Sequence, residues 1–305
     1  MMKKTILISG ASSGIGQLTA FSLARSGHRV YASMRDIEGR NKFKSQKMIE
    51  VAIEESLDLR TIELDVSRES SIKKAIDLIH IESSEIDVLI HNAGHMTFGP
   101  TEAFSAQQLA AMYDVNVLGA HRINQQALPK MRQRQDGLIL WISSSSARGG
   151  TPPLLGPYFA AKAAMDSLAI SYATELSKWG IETSIIVPGA FISGTNHFEN
   201  AGSPSNQACA LEYIDGPYKG IDLKIFEGLK RKTPANADPS MIAEKVAEVV
   251  ELKKGQRPFR LHIDPCDDGC EVVNTVADRI RQTFLKEIDL EDLLHVTPLK
   301  PGASV

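Results

Sequence analysis

Short apolar, β-branched runs alternate with longer amphipathic or polar stretches along most of the chain. The runs Lys4–Ser9, His28–Ser33, Leu59–Val66, Ile86–His91, Gly137–Ile142, Glu182–Val187 and Arg260–Ile263 are each a few residues long and read as strands. Between them, helical patterns are predicted from Gln17 to Ser26, Ser105 to about Arg134, Tyr158 to about Trp179, and Pro239 to Leu252. The stretch from Asp36 to Asp58 is polar and charged and reads as a solvated connection and helix with no evident chemistry. A charged helix and a loose tail are expected from Asp278 to Val305. There is no internal repeat, no low-complexity segment and no linker, so one domain with a C-terminal extension is the simplest organisation.

The ends of the strands carry the chemistry. The first passes directly into Gly10-Ala-Ser-Ser-Gly14-Ile-Gly16 and then a helix. That order puts a phosphate against a helix N-terminus, where unpaired N–H groups and the helix dipole attract negative charge. Past the second strand lies Met34-Arg35, with Asp36 following. An arginine there would bind a ribose 2′-phosphate, whereas a carboxylate would accept from a 2′-hydroxyl and repel the phosphate. Arg35 therefore favours NADP(H) over NAD(H), unless Asp36 swings inward. Asp65 could accept from an adenine amine or cap the next helix. Asn92-Ala93-Gly94 ends the fourth strand with small residues that let backbone approach a ligand, although Asn92 could equally brace neighbouring strands. Asn116 sits in mid-helix, where propensity disfavours it, so it either faces water or has a specific task. Ser143 to Ser146 follow the fifth strand, and Pro188-Gly189 ends the sixth.

Tyr158 and Lys162 lie four residues apart and share one helical face. A phenol with a pKa of about 10 is a poor base, but a fixed neighbouring cation would favour the phenolate. The pair is a candidate acid/base.

Composition narrows the class. With 43% hydrophobic residues, a net charge of −3 and a pI near 6.3, the chain is expected to be soluble, with neither nucleic acid nor membrane as partner. The basic start Met1-Met-Lys-Lys is followed by an apolar run that stops at Ser9-Gly10, which reads as a strand and not as an exported leader. Three cysteines, Cys209, Cys266 and Cys270, are too few for a disulfide framework, so a cytoplasmic location is expected. Cys266 and Cys270 flank Asp267-Asp268, but without a spaced histidine pair they fall short of a zinc signature, and no metal is expected.

The glycine spacing, Asn92-Ala93-Gly94, Asn116, the serine run, Tyr158-x-x-x-Lys162 and Pro188-Gly189 occur together and in order. Over roughly residues 3 to 195 the chain resembles the single-domain branch of the short-chain dehydrogenase/reductase family. The resemblance implies an α/β fold, a doubly wound parallel sheet of about seven strands with helices on both faces. It implies an oxidoreductase that interconverts a carbonyl and an alcohol, assembled as a homodimer or homotetramer. Its cofactor would lie along Gly10, Ser12, Ser13, Gly14, Ile15, Gly16, Arg35, Asp65, Val66, Asn92, Ala93, Gly94, Tyr158, Lys162, Pro188, Gly189, Phe191, Ser193 and Thr195. Tyr158 would exchange a proton with the substrate oxygen, Lys162 would lower the phenol's pKa and hold the ribose, and Asn116 would hold a water linking Lys162 to a proton relay. A serine would hydrogen-bond the substrate oxygen. Counting from the strand gives Ser144; counting back from Tyr158 gives Ser145. The loop carries an extra residue near Pro152-Pro153, so Ser144 is the choice. Ser9 stands where the family has threonine, and Ser193 stands for the threonine after Pro188-Gly189. An NAD-dependent alcohol dehydrogenase, or a dinucleotide-binding regulator without chemistry, are the alternatives.

Beyond residue 195 the resemblance thins. Residues 1–265 are expected to form the dehydrogenase domain, with a substrate lid at about 191–239, and 266–305 the extension. Phe198, Tyr213, Tyr218 and Phe226 either line that lid or simply pack on the core.

Overall fold

The computed structural model describes residues 2–191, 194 and 198–296. Seven strands, β1 (Thr5–Ile8), β2 (Arg29–Met34), β3 (Leu59–Glu63), β4 (Val88–His91), β5 (Gly137–Ile142), β6 (Ile181–Pro188) and β7 (Arg260–Ile263), form one parallel sheet in the order β3-β2-β1-β4-β5-β6-β7. The order reverses direction between β1 and β4, which opens a crevice at their C-terminal ends.

Central strands of such a sheet are covered on both faces and so must be apolar throughout. In β5 every residue is buried, and alternate side chains enter different cores. Ile139 and Trp141 join Leu7 and Leu89 on one face; Leu138, Leu140 and Ile142 join Ile6, Ile8, Val88 and Ile90 on the other. Helices α1 (Gly14–Arg25) and α2 (Lys42–Glu54) cover the second face. Helix α3 (Glu69–Ser83) covers the first, using Ile72, Ile76 and Ile79 one turn apart.

The stretch expected as one helix from Ser105 to Arg134 is broken. Ser105 caps α4 (Ala106–Tyr113) through a reciprocal capping box with Gln108, a π-helical turn follows at Asp114–Leu118, and α5 (Gly119–Arg134) completes it. The widened turn contains Asn116, the residue that fitted a regular helix least well. Helix α6 (Gly156–Leu176) carries Tyr158 and Lys162 and gives way to a 3-10 turn at Ser177–Trp179.

The 191–239 region is more regular than its composition suggested, since it contains α7 (Gln207–Ile214) and α8 (Ile221–Lys232). Phe198 packs edge-on against Phe226, with ring centroids 4.8 Å apart, and both meet Phe98. Tyr213 and Tyr218 instead stack on each other, and Tyr213 donates to Glu102 at 2.6 Å. Helix α9 (Ser240–Glu251) buries Ile242, Val246 and Val250 against α1 and the sheet. The last helix, α10 (Cys270–Glu287), begins well before Asp278, because Gly269 in a left-handed conformation (φ 89°) turns the chain into it. It is tied to the body by Arg281 donating to Thr174, and the turn beyond it by the Lys178–Asp292 ion pair. Among the described residues no helix is long and apolar enough to cross a membrane.

His91, at the end of β4, is fully enclosed and bonded to Asn124 at 2.8 Å; burial lowers its pKa to about 4. Between pH 6.5 and 4 the unfolded chain therefore binds a proton that the folded one refuses. This site alone should cost about 3 kcal/mol of stability as the pH falls through that window. Urea unfolding at stepped pH measures it: His91→Gln should flatten the slope, and an unchanged slope would place the titration elsewhere.

Candidate active site

The crevice is a continuous cleft with two halves. The half at the C-terminal ends of β1 and β2, of about 590 Å³, is lined by Gly10, Ser12, Ser13, Gly14, Ile15, Gly16, Arg35, Asp65, Val66, Asn92, Ala93 and Gly94. Gly10 has φ 70° and lies so close to Ala93 that an added Cβ would sit 2.7 Å from its Cα. Gly14, with φ 55°, has open space beside it, while a Cβ on Gly16 would meet the Asn92 amide at 2.4 Å. The crowded glycines thus join strand to helix, and the unobstructed one leaves the mouth of α1 free. Ser9, in the place of a threonine, accepts from the backbone of Asn92 and Ala93 and donates to the Ile90 carbonyl at 3.2 Å. Asn92 in turn donates to the carbonyls of Ser9 and Gly10, so its side chain braces β1 against β4.

Asp36 does not enter the cleft. Its carboxylate accepts from the backbone N–H of Arg40 at 2.8 Å, and its left-handed backbone (φ 52°) closes a turn onto Asn41. That turn brings Arg40 and Lys44 to the cleft beside Arg35. Both came from the stretch in which the sequence suggested no chemistry; the signal was three cations spaced across one turn and the start of α2. Asp65 is not the cap of α3, whose N-cap is Arg68; it accepts from the Ser67 N–H at 3.0 Å and faces the cleft.

The other half, of about 540 Å³, lies over β5 and β6. Asn116, Ser144, Ser145, Tyr158, Lys162, Pro188, Gly189 and Phe191 line it, and Ile15, Asn92 and Gly94 are shared by both halves. Ser193 and Thr195 lie outside the described residues. Tyr158 is buried, which pushes its phenol above the usual value, and a hydrogen bond with the Ser144 hydroxyl draws it partly back. The Lys162 ammonium donates to the Ile142 carbonyl at 2.9 Å, and burial lowers its own pKa to about 8, offset in part by Asp166 one turn along α6.

Ser144 and Ser145 differ in setting. Ser144 caps a short 3-10 turn, its hydroxyl accepting from the Ser146 N–H at 3.1 Å while facing Tyr158. Ser145 is the more buried of the two and has no hydrogen bond to Tyr158. Leu154, a bulky residue with φ 74°, makes the sharp turn of the following loop. Asn116 is 1% exposed, so it does not face water. Its amide accepts from the His95 N–H at 3.2 Å and donates to the His95 and Met112 carbonyls, pinning the loop after β4 to α4.

A second set of residues was not legible in the sequence. Asp166, 1% exposed, accepts from Ser143 at 3.0 Å and from Arg260 at 2.7 Å, and Arg260 also binds Asp278 of α10 at 2.8 Å. Buried charges need partners of this kind, and the network ties the extension to the base of the serine turn. Asp264, Asp268 and Cys270 come within 4.8 Å of one another. The Asp264 oxygens accept from the N–H groups of Cys266 and Asp268, and Asp268 accepts from that of Cys270. Burial and the two carboxylates push the Cys270 thiol far up. The cluster caps its own turn.

The short chain dehydrogenase family model matches residues 4–204. Estradiol 17-beta-dehydrogenase 1 of Rattus norvegicus is 32% identical over 247 residues, covering 80% of this chain and 69% of that protein. The 3-ketodihydrosphingosine reductase of Bacteroides thetaiotaomicron is 29% identical, over 87% of this chain and 89% of its own. Among solved structures, a short-chain dehydrogenase from Streptomyces avermitilis superposes with a TM-score of 0.72 at 22% identity, covering 95% of this chain and 98% of that one. An alcohol dehydrogenase from Thermococcus sibiricus, complexed with 5-hydroxy-NADP, gives 0.67 at 23%, with 87% and 97% covered. With about two thirds of its length matched by the family model, from the glycine turn through the tyrosine helix, this chain belongs to the short-chain dehydrogenase family of oxidoreductases.

Proposed function

We propose that the protein is an NADP(H)-dependent reductase of ketones or aldehydes, with Tyr158 as proton donor. The observation that carries this reading is the Tyr158–Ser144 pair, facing an apolar cavity that opens onto the cation-lined cleft. The cleft suits a dinucleotide phosphate: the mouth of α1 offers unpaired N–H groups, and Arg35, Arg40 and Lys44 supply charge where a 2′-phosphate would lie. Bound there, the dinucleotide would supply the hydride.

The chain's own part is positioning and proton transfer. The Ser144 hydroxyl donates to the substrate carbonyl oxygen and polarises it. Tyr158, protonated at neutral pH because burial raises its pKa, gives its proton to that oxygen as charge develops. Lys162, mostly charged at pH 7, stabilises the phenolate left behind. In the alcohol-oxidising direction the same phenol must first lose its proton, so that direction should quicken as the pH rises.

Replacing the serines separately tests the assignment. Ser144→Ala should lower turnover by roughly 10²-fold, the size of a lost oxyanion donor, with cofactor affinity nearly unchanged. Ser145→Ala should do much less; if it proves the more damaging in steady-state kinetics with NADPH, the hydroxyl that meets the substrate is Ser145.

A further inference from the structure

One wall of the apolar cavity is α8, and it is chemically divided. Residues four apart share a helical face. Ile225 and Leu229 present one row to the cavity, and beside it Lys224, Gly228 and Lys232 present another. Glycine is the least favourable residue short of proline in a helix interior. At Gly228 an added Cβ would meet nothing nearer than Arg231, at 3.9 Å, so no packing constraint requires it. Its effect is to leave room between two lysines on the cavity wall.

The two ammonium groups are not equivalent. Lys232 donates to the Asp267 carbonyl at 2.9 Å and stands at the end of the wall where Asp268 also lines the cavity. The Lys224 ammonium has no hydrogen bond or ion pair to any described residue, and no carboxylate lines the cavity beside it on α8. Most of the remaining lining, including Met96, Leu155, Phe159 and Phe198, is apolar. A cavity of this kind suits a long apolar body, and a cation without a partner at its wall suits a charge of opposite sign.

We infer that the substrate is an amphiphile whose apolar chain lies along Ile225 and Leu229 and whose anionic group, a carboxylate or phosphate, is held by Lys224 over Gly228. This rests on the carbonyl reading for what happens at Tyr158, but the recognition itself does not depend on turnover.

Binding is the appropriate readout. Full-length protein saturated with NADPH is titrated calorimetrically with decanoate, monodecyl phosphate and 1-decanol. At least one anion should bind roughly tenfold or more tightly than the alcohol, as a charge-assisted contact provides. The stronger of the two anions identifies the headgroup. Lys224→Gln, at an exposed position with no partner to lose, should remove the preference without weakening decanol, and Lys224→Arg should restore it. Equal affinities for all three compounds in the unmodified protein, or a preference that survives Lys224→Gln, would overturn the inference. Absence of carbonyl turnover would sink the redox reading and leave these binding outcomes intact.

Discussion

Tyr158→Phe should abolish most turnover while leaving the fold and the cofactor site as they are. The substitution removes one hydroxyl from a buried ring, so the packing of Tyr158 in the core beside Leu155 and Ala161 is kept. What is lost is the proton donor and the hydrogen bond with Ser144. The bond should cost about 1 kcal/mol of stability, whereas loss of acid catalysis typically costs ~10²–10⁴ in rate. The pH profile offers a second readout. For kcat/KM of reduction, the first group near the reaction to lose its proton as pH rises is Lys162, at about 8, ahead of the phenol, whose pKa is raised. Activity should therefore be flat below that value and fall above it. Lys162→Ala should weaken both turnover and cofactor binding. Full activity in Tyr158→Phe would mean that another group gives the proton.

Arg35→Ala should weaken NADP(H) by roughly 2–3 kcal/mol and leave NAD(H) nearly unchanged, the size expected for lost charge-assisted hydrogen bonds to a phosphate. Arg40 and Lys44 line the same part of the cleft, so removing Arg35 and Arg40 together should cost more than either alone. Asp36 is already engaged with the Arg40 N–H, and for that reason Asp36→Asn should not convert the cofactor preference. Fluorescence titration with both cofactors separates the cases: equal losses for NADP(H) and NAD(H) would make Arg35 a structural residue.

The sheet was legible because its strands are short apolar runs, and a run such as Gly137–Ile142 is buried on both faces wherever it is placed. The glycine turn and the Tyr158–Lys162 spacing were legible because local geometry dictates them. Three things were not. The π-helical turn holds Asn116, whose side chain bonds the His95 loop, a tertiary contact invisible to helical periodicity. Arg40 and Lys44 reach the cleft only because Asp36 folds the chain back in a tight turn. The Asp166–Arg260–Asp278 network joins residues that lie far apart in sequence and meet only when α10 docks. The burial of Tyr158, which raises its phenol, and the turn of the Lys162 ammonium toward the Ile142 carbonyl are likewise set by packing and not by the four-residue spacing.

The most direct measurement is nicotinamide absorbance during incubation of the protein with NADPH or NADH and a panel of ketones and aldehydes, long-chain anionic ones included. Consumption of NADPH with at least one of them, well above that of NADH and lost in Tyr158→Phe, is the predicted result. Tight NADPH binding without turnover on any carbonyl compound, or on any alcohol with NADP in the reverse direction, would contradict it.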